Sequence, residues 1–285
     1  MGNVIQKFFN YCQTYDKYTD NTLRAYKMVY RQIQEITGKD ILDISNEDIE
    51  YFIQRLREIN NGISINTINL KINALSTLFE FLLSRDYIDK NPTEHIELAT
   101  PEQREIIILT KDEIDDIINA CTKIRNKAII GFMFATAVRI SELSNINKED
   151  IYPLEDSEGF GVHIVQGKGR KDRQVFISGI YLDYLLQYLD TREDNNSALF
   201  ISEQNNRLHP NSIRYLLKSR AKKAGIDKKV TPHTIRRSGI SYLLSVGVDI
   251  YTVSQVAGHS SVETTDRFYS KISNKEKAKR VMGFF

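Results

Sequence analysis

Apolar residues recur at helical spacing through the first hundred positions. Over residues 3–18, Val4, Phe8, Phe9 and Tyr15 lie near one face. Over 22–37, Leu23, Tyr26, Met28, Tyr30 and Ile33 follow, and Gly38 stands where glycine often ends a helix. Ser45, Asn46, Glu47 and Asp48 resemble a capping box opening a third helix, along which Ile49, Phe52, Ile53 and Leu56 recur. Ser64 caps a fourth, whose Ile68, Ile72, Leu75, Leu78, Phe79 and Leu82 make a core stripe, and Asn91 before Pro92 closes this helical unit. The pattern then breaks: residues 97–107, with Pro101 and a run of charges, read as an exposed linker.

Thr110, Lys111, Asp112 and Glu113 open a further helix in the same capping-box manner. Residues 125–137 are apolar enough for a buried helix, with Arg139 at its close. Residues 161–166 and 173–178 alternate in polarity around Gly167, Lys168, Gly169, Arg170, Lys171 and Asp172, which predicts a β-hairpin with a basic, glycine-containing turn. Helices resume from about Ile180 to the end. The expected fold is mainly α with a small antiparallel β-sheet, in a helical unit over 1–96, a linker over 97–107 and a second unit over 108–285.

Composition narrows the class. No stretch approaches the ~18 consecutive apolar residues of a membrane span, and the amino terminus lacks the order of a signal peptide. The two cysteines, Cys12 and Cys121, make neither a disulfide framework nor a zinc site. These features predict a reduced, cytoplasmic protein. A net charge of +2 looks small for a nucleic-acid binder, yet the charge is unevenly spread. Residues 1–100 are net −3 and residues 101–285 net +5, and within 207–237 ten basic residues accompany a single acid, Asp227. A polyphosphate responds to such local charge rather than to the sum.

Candidate chemistry lies in a few short segments. Arg139 sits in Thr136-Ala137-Val138-Arg139-Ile140-Ser141-Glu142-Leu143, with Glu142 placed to hold it. Lys168 and Lys171 lie on the hairpin turn, where a lysine can reach into a groove and donate a proton. His233 and Arg236 are three apart behind Pro232, so a helix puts them on one face. His259 follows Gly258 at a loop-to-helix junction, and Tyr269, one of 15 tyrosines, follows in a polar stretch. Guanidinium is planar, permanently charged and bidentate toward phosphate, histidine handles protons near neutral pH, and tyrosine can form a covalent intermediate. Together these groups could break a phosphodiester. Each alone reads better as ordinary structure: a surface ion pair, a solvated turn, a structural or exposed histidine. His95, His163 and His209 have no comparable neighbours. No Walker-type loop or His-Glu-x-x-His string occurs, so neither ATP nor a metal is implied, and no cofactor is expected.

The ordered set resembles the tyrosine recombinase family, which shares its catalytic fold and chemistry with type IB topoisomerases. The segment 136–143 is similar to its first arginine box, 167–173 to its lysine hairpin, 232–238 to its His-x-x-Arg box, and Gly258, His259, Ser260 and Tyr269 to the end of its motif series. The amino-terminal part is similar to the family's helical, SAM-like core-binding domain. With no arm-binding domain ahead of it, the chain resembles a compact Xer-type recombinase. Ala137 and Arg237 depart from the usual glycine and histidine, and Ser270 follows Tyr269 without the frequent downstream histidine.

The resemblance implies roles. Tyr269 would attack the scissile phosphate to give a 3′-phosphotyrosyl link, and Arg139 and Arg236 would bind its non-bridging oxygens. His259 would add a hydrogen bond there, Lys168 would protonate the departing 5′ oxygen, and His233 would assist proton transfer from the tyrosine. Strand exchange would pass through a Holliday junction in a homo-tetramer on two double-stranded DNA sites, with monomer or dimer as the DNA-free state. The last helix, within residues 273–285, would dock into a neighbouring subunit. Arg207, Arg214, Lys218, Arg220, Lys222, Lys223 and Arg237 are the expected DNA-backbone contacts, the two domains clamping the duplex. Chromosome dimer resolution is the expected task, with integration of a mobile element, topoisomerase-like strand passage and DNA binding without catalysis as the alternatives.

Overall fold

The structure is a computed structural model that describes residues 3–59, 61–100, 106–155, 157–165, 172–259 and 261–269, the last three in their backbone. The chain divides into two compact units, residues 1–104 and 105–285.

In the first unit, α1 (Asn3–Thr14), α2 (Asp20–Thr37), α3 (Asn46–Ile59) and α4 (Ile65–Leu83) enclose one apolar core. The caps are local chemistry. Thr19 accepts from the Thr22 amide at 3.3 Å, Ser64 from Thr67 at 3.2 Å, and Ser45 and Asp48 accept from each other's amides at 3.3 and 2.8 Å. Gly38 ends α2 at φ 71°. α1 stops at Thr14 rather than near residue 18, because the chain turns through Asp16 at φ 48°. Phe8, Tyr30, Phe52 and Phe79 fill the core, and the buried Tyr30 hydroxyl donates to Ala74 O at 2.9 Å.

The second unit is built around α6 (Ile124–Thr136), in which every side chain from Ala128 to Phe134 is buried. Around it lie α5 (Lys111–Asn119), α8 (Gly179–Asp190), α10 (Pro232–Ser245) and a three-stranded antiparallel sheet. The sheet runs β1 (Ile151–Pro153), β2 (Phe160–Ile164), β3 (Arg173–Ile177), with Val162 paired to Ile151 on one side and Val175 on the other. β2 and β3 are the expected hairpin arms; β1, three residues long, is too short to show as an alternating pattern. α7 (Ile140–Asn145), α9 (Pro210–Lys223), α11 (Ile250–Ala257) and α12 (Glu263–Tyr269) complete the unit. Among the described residues no helix is long and apolar enough to cross a membrane.

Two features of this packing place the site. α10 lies so close to α6 that a Cβ on Gly239 would come 2.2 Å from the Phe134 carbonyl oxygen, so only glycine permits the approach. Arg236, one turn earlier on the same face, is thereby brought to the carboxyl end of α6. That end is Ala137, fully buried at φ 50° in the left-handed region that glycine usually occupies. The reversal at Ala137 also corrects one expectation: Arg139 does not close α6 but stands as the N-cap of α7.

Candidate active site

Helix α11 ends in a left-handed turn at Gly258, φ 62°, and its last carbonyls have no partners within the helix. Three arginines from three distant elements satisfy them. Arg173, the first residue of β3, donates from Nε to Val256 O at 2.7 Å. Arg236 of α10 donates from Nη2 to Ala257 O at 2.5 Å and from Nη1 to Ala137 O. Arg139 donates from Nη2 to Gly258 O at 2.6 Å. The partial negative charge of the helix end thus offsets part of the repulsion among three guanidinium groups.

Glu142 offsets a further part. Its carboxylate accepts two bonds from Arg173, at 3.0 and 2.7 Å, and one from Arg139 Nη1 at 2.8 Å. It also accepts the Arg139 amide at 2.7 Å, which secures the start of α7. Burial pushes its pKa up, but these hydrogen bonds and the Arg173 charge outweigh that and hold the carboxyl at about 2.

The arrangement remains electropositive. Arg236 is 3% exposed; burial and the neighbouring Arg139 and Arg173 cations press its pKa down to about 9 against the support of Glu142. His259 lies next to Gly258, and its Nδ1 is 2.8 Å from the buried Thr265 hydroxyl on α12. Burial, then the charges of Arg236, Arg139 and Arg173, hold its pKa down at about 4, so it is neutral near pH 7. His233, exposed at the start of α10 behind the Thr231 cap, is also shifted downward, by partial desolvation and then by Arg237, Arg236 and Arg139. A neutral imidazole and guanidiniums that lack a full set of counter-charges suit an incoming anion. Each guanidinium has five N–H donors, and the bonds above engage two on Arg139 and two on Arg236.

Of the six residues expected to act together, Arg139, His233, Arg236 and His259 are therefore assembled. Tyr269 ends α12, the helix that carries Thr265. Lys168, with Lys171, lies outside the described residues, as do residues 273–285. Two residues of the assembly were not singled out from the sequence. Arg173 had a signal, since it closes the basic hairpin segment. Thr265 had none, because a threonine six residues beyond a histidine is common.

The expected DNA-backbone residues differ among themselves. Arg207 donates to Ser144 O at 2.9 Å, Ile146 O at 3.2 Å and Asn147 Oδ1 at 2.5 Å, and so braces the loop after α7. Arg220 reaches Ala120 O at 3.3 Å and Ser219 Oγ at 3.3 Å. Arg214 donates to Asn211 Oδ1 at 2.7 Å. Lys218, Lys222 and Lys223 are exposed on α9, and Arg237 is half-buried beside His233. Among the described residues no cluster of His, Cys, Asp or Glu could hold a metal ion.

Comparison with known proteins adds the context of this arrangement. The phage integrase family matches residues 108–276, and the phage integrase N-terminal SAM-like domain matches residues 4–89. A protein described as a tyrosine recombinase from Thermosipho africanus is 31% identical over 97% of this chain and 98% of its own length. The tyrosine recombinase XerA of Pyrococcus horikoshii is 31% identical over 98% of this chain and 95% of its own. Among solved structures, a XerA recombinase is 26% identical over 99% of this chain and 98% of its own, with a TM-score of 0.56. The XerH site-specific recombinase bound to palindromic difH substrate, a post-cleavage complex, shares the fold. Its TM-score is 0.76 at 18% identity, covering 97% of this chain and 84% of its own.

Proposed function

The chain belongs to the phage integrase family as a Xer-type tyrosine recombinase, a DNA breaking and rejoining enzyme, and from that premise we propose how its own residues carry out site-specific recombination. The scissile phosphate sits against Arg139 and Arg236, which neutralise the charge that builds on its non-bridging oxygens. His259 adds a hydrogen bond. The tautomer in which the Thr265 hydroxyl donates to Nδ1 is the one this role requires, since it leaves the ring proton on Nε2 to be given to phosphate. The Tyr269 oxygen bonds to phosphorus while the bond to the 5′ oxygen breaks. Lys168 supplies the proton for that 5′ oxygen, and His233 assists removal of the proton from the phenol. The 3′-phosphotyrosyl link conserves bond energy until the 5′ hydroxyl of a partner strand attacks it and frees the tyrosine.

Two such exchanges pass through a Holliday junction on two DNA sites held by a tetramer. Chromosome dimer resolution is the task proposed for this chain. The single observation that carries the site reading is the convergence of Arg139 and Arg236 on adjoining carbonyls at the end of α11, with His259 next in the chain. A nicked suicide substrate tests the proposal. The protein should form a covalent adduct with DNA that Tyr269→Phe abolishes. An adduct that persists in Tyr269→Phe would refute the nucleophile, and junction formation on two sites separates recombination from simple strand relaxation.

A further inference from the structure

Arg173 is the residue of the arginine cluster to which the proposed chemistry gives no task. Its side chain is 8% exposed, and both terminal nitrogens are committed to Glu142, itself 9% exposed, in a paired, fork-like contact. Its third nitrogen holds Val256 O at 2.7 Å. Gly258 packs over the same guanidinium, where an added Cβ would lie 3.0 Å from its Cζ, Nε and Nη1 atoms. Arg173 is thus wedged between α7 and the end of α11, with each of its three nitrogens donating to protein.

The partners of Arg173 are the groups that hold the phosphate-facing residues. Glu142 orients Arg139 through both its side chain and its amide. The Val256–Gly258 turn presents the carbonyls that fix Arg139 and Arg236, and His259 follows it directly. As the first residue of β3, Arg173 also fastens the strand that follows residues 166–171 to this same frame. Guanidinium suits the task where ammonium would not, because three directed bonds to two elements require a planar fork.

We propose that Arg173 is a positioning residue of the recombinase site, acting through Glu142 and the α11 carbonyls to hold Arg139 and His259 in register with the scissile phosphate. The inference rests on the site proposed above. Misplacement of a reacting geometry by ~1 Å can slow a reaction about 10²-fold, and Arg173 governs two of the groups that set this geometry. Its effect should appear in the chemical step and not in DNA affinity, since each of its three nitrogens already donates to protein.

The test is single-turnover adduct formation at saturating suicide substrate for Arg173→Met, Arg173→Lys, Glu142→Gln and the Arg173→Met/Glu142→Gln double variant. Thermal melting and DNA binding are recorded alongside. Arg173→Met should slow cleavage about 10²-fold, with affinity within about threefold. Arg173→Lys, which keeps the charge but not the fork, should lose about 10-fold. The double variant should be no more than about threefold slower than the slower single, because both substitutions break one unit. Cleavage by a folded Arg173→Met within threefold of wild type would overturn the proposal, as would losses that multiply in the double variant. If Arg173→Met does not fold, Arg173→Lys decides, and a wild-type rate there is equally contrary. Failure of the wild-type chain to form any adduct would instead strike the functional reading beneath it.

Discussion

The carboxyl-terminal unit carries two sets of basic side chains, and they are held in opposite ways. Arg139, Arg173 and Arg236 come from three elements and are fixed by the carbonyls at the end of α11 and by Glu142. Lys218, Lys222 and Lys223 come from one helix, α9, and extend into solvent. The first set has its geometry set before any ligand arrives, which is what stabilising a transition state demands. The second set carries charge without geometry, which suffices for attraction to a DNA backbone and for release of its counterions. Abundance of charge therefore says little about which region does chemistry. Three exposed lysines on α9 match the three fixed arginines in number and differ from them in constraint.

The comparison predicts that the two sets fail differently. Arg139→Ala should cost the most, slowing single-turnover cleavage about 10³-fold, as loss of a preorganised donor does, while DNA affinity changes little. Lys218→Ala with Lys222→Ala should do the reverse. Cleavage at saturating DNA should hold, while the slope of log affinity against log salt should fall by about one for each phosphate that a lysine no longer neutralises. Equal salt slopes for the double lysine variant and wild type would remove α9 from the DNA surface. Arg207→Ala belongs to neither set. It should lower the melting temperature by about 2–4 °C and leave the salt slope unchanged, because its guanidinium braces Ser144, Ile146 and Asn147.

The smallest effect is a titration. The pKa of His259 is held at about 4 in the folded protein against an ordinary 6.5, so the unfolded chain takes up the proton first. The site's contribution to stability is therefore present above pH 6.5 and lost as the pH falls towards 4. A bound phosphate should move this pKa upward by supplying the counter-charge. Nuclear magnetic resonance of the His259 ring with and without DNA would show it, and a pKa near 6.5 in the free protein would mean that neither burial nor the arginine charges act on the ring.

Much of this was legible in the sequence. The caps at Ser45, Ser64 and Thr110 and the ending at Gly38 rest on neighbours within a few residues, so local pattern suffices. The hairpin arms showed as alternation, and Arg139, His233, Arg236 and His259 showed as an ordered motif series. Less accessible was anything that depends on two distant segments meeting. Nothing near Ala137 announces that its buried left-handed turn lets Arg139 begin α7. Nothing near Val256 or Ala257 announces that residues 173 and 236 will cap their carbonyls. In the same way Arg207 looked like one more cation in a basic run, since its carbonyl partners lie about sixty residues earlier in the chain.

The central claim is that geometry, and not charge alone, distinguishes the fixed arginines from the lysines of α9. It is tested most directly by single-turnover cleavage in Arg236→Lys at saturating suicide substrate. Lysine keeps the positive charge but cannot span Ala137 and Ala257 while also facing a phosphate oxygen. The account predicts a loss of about 10² or more in rate, with DNA affinity within about threefold of wild type. A rate equal to wild type would contradict it.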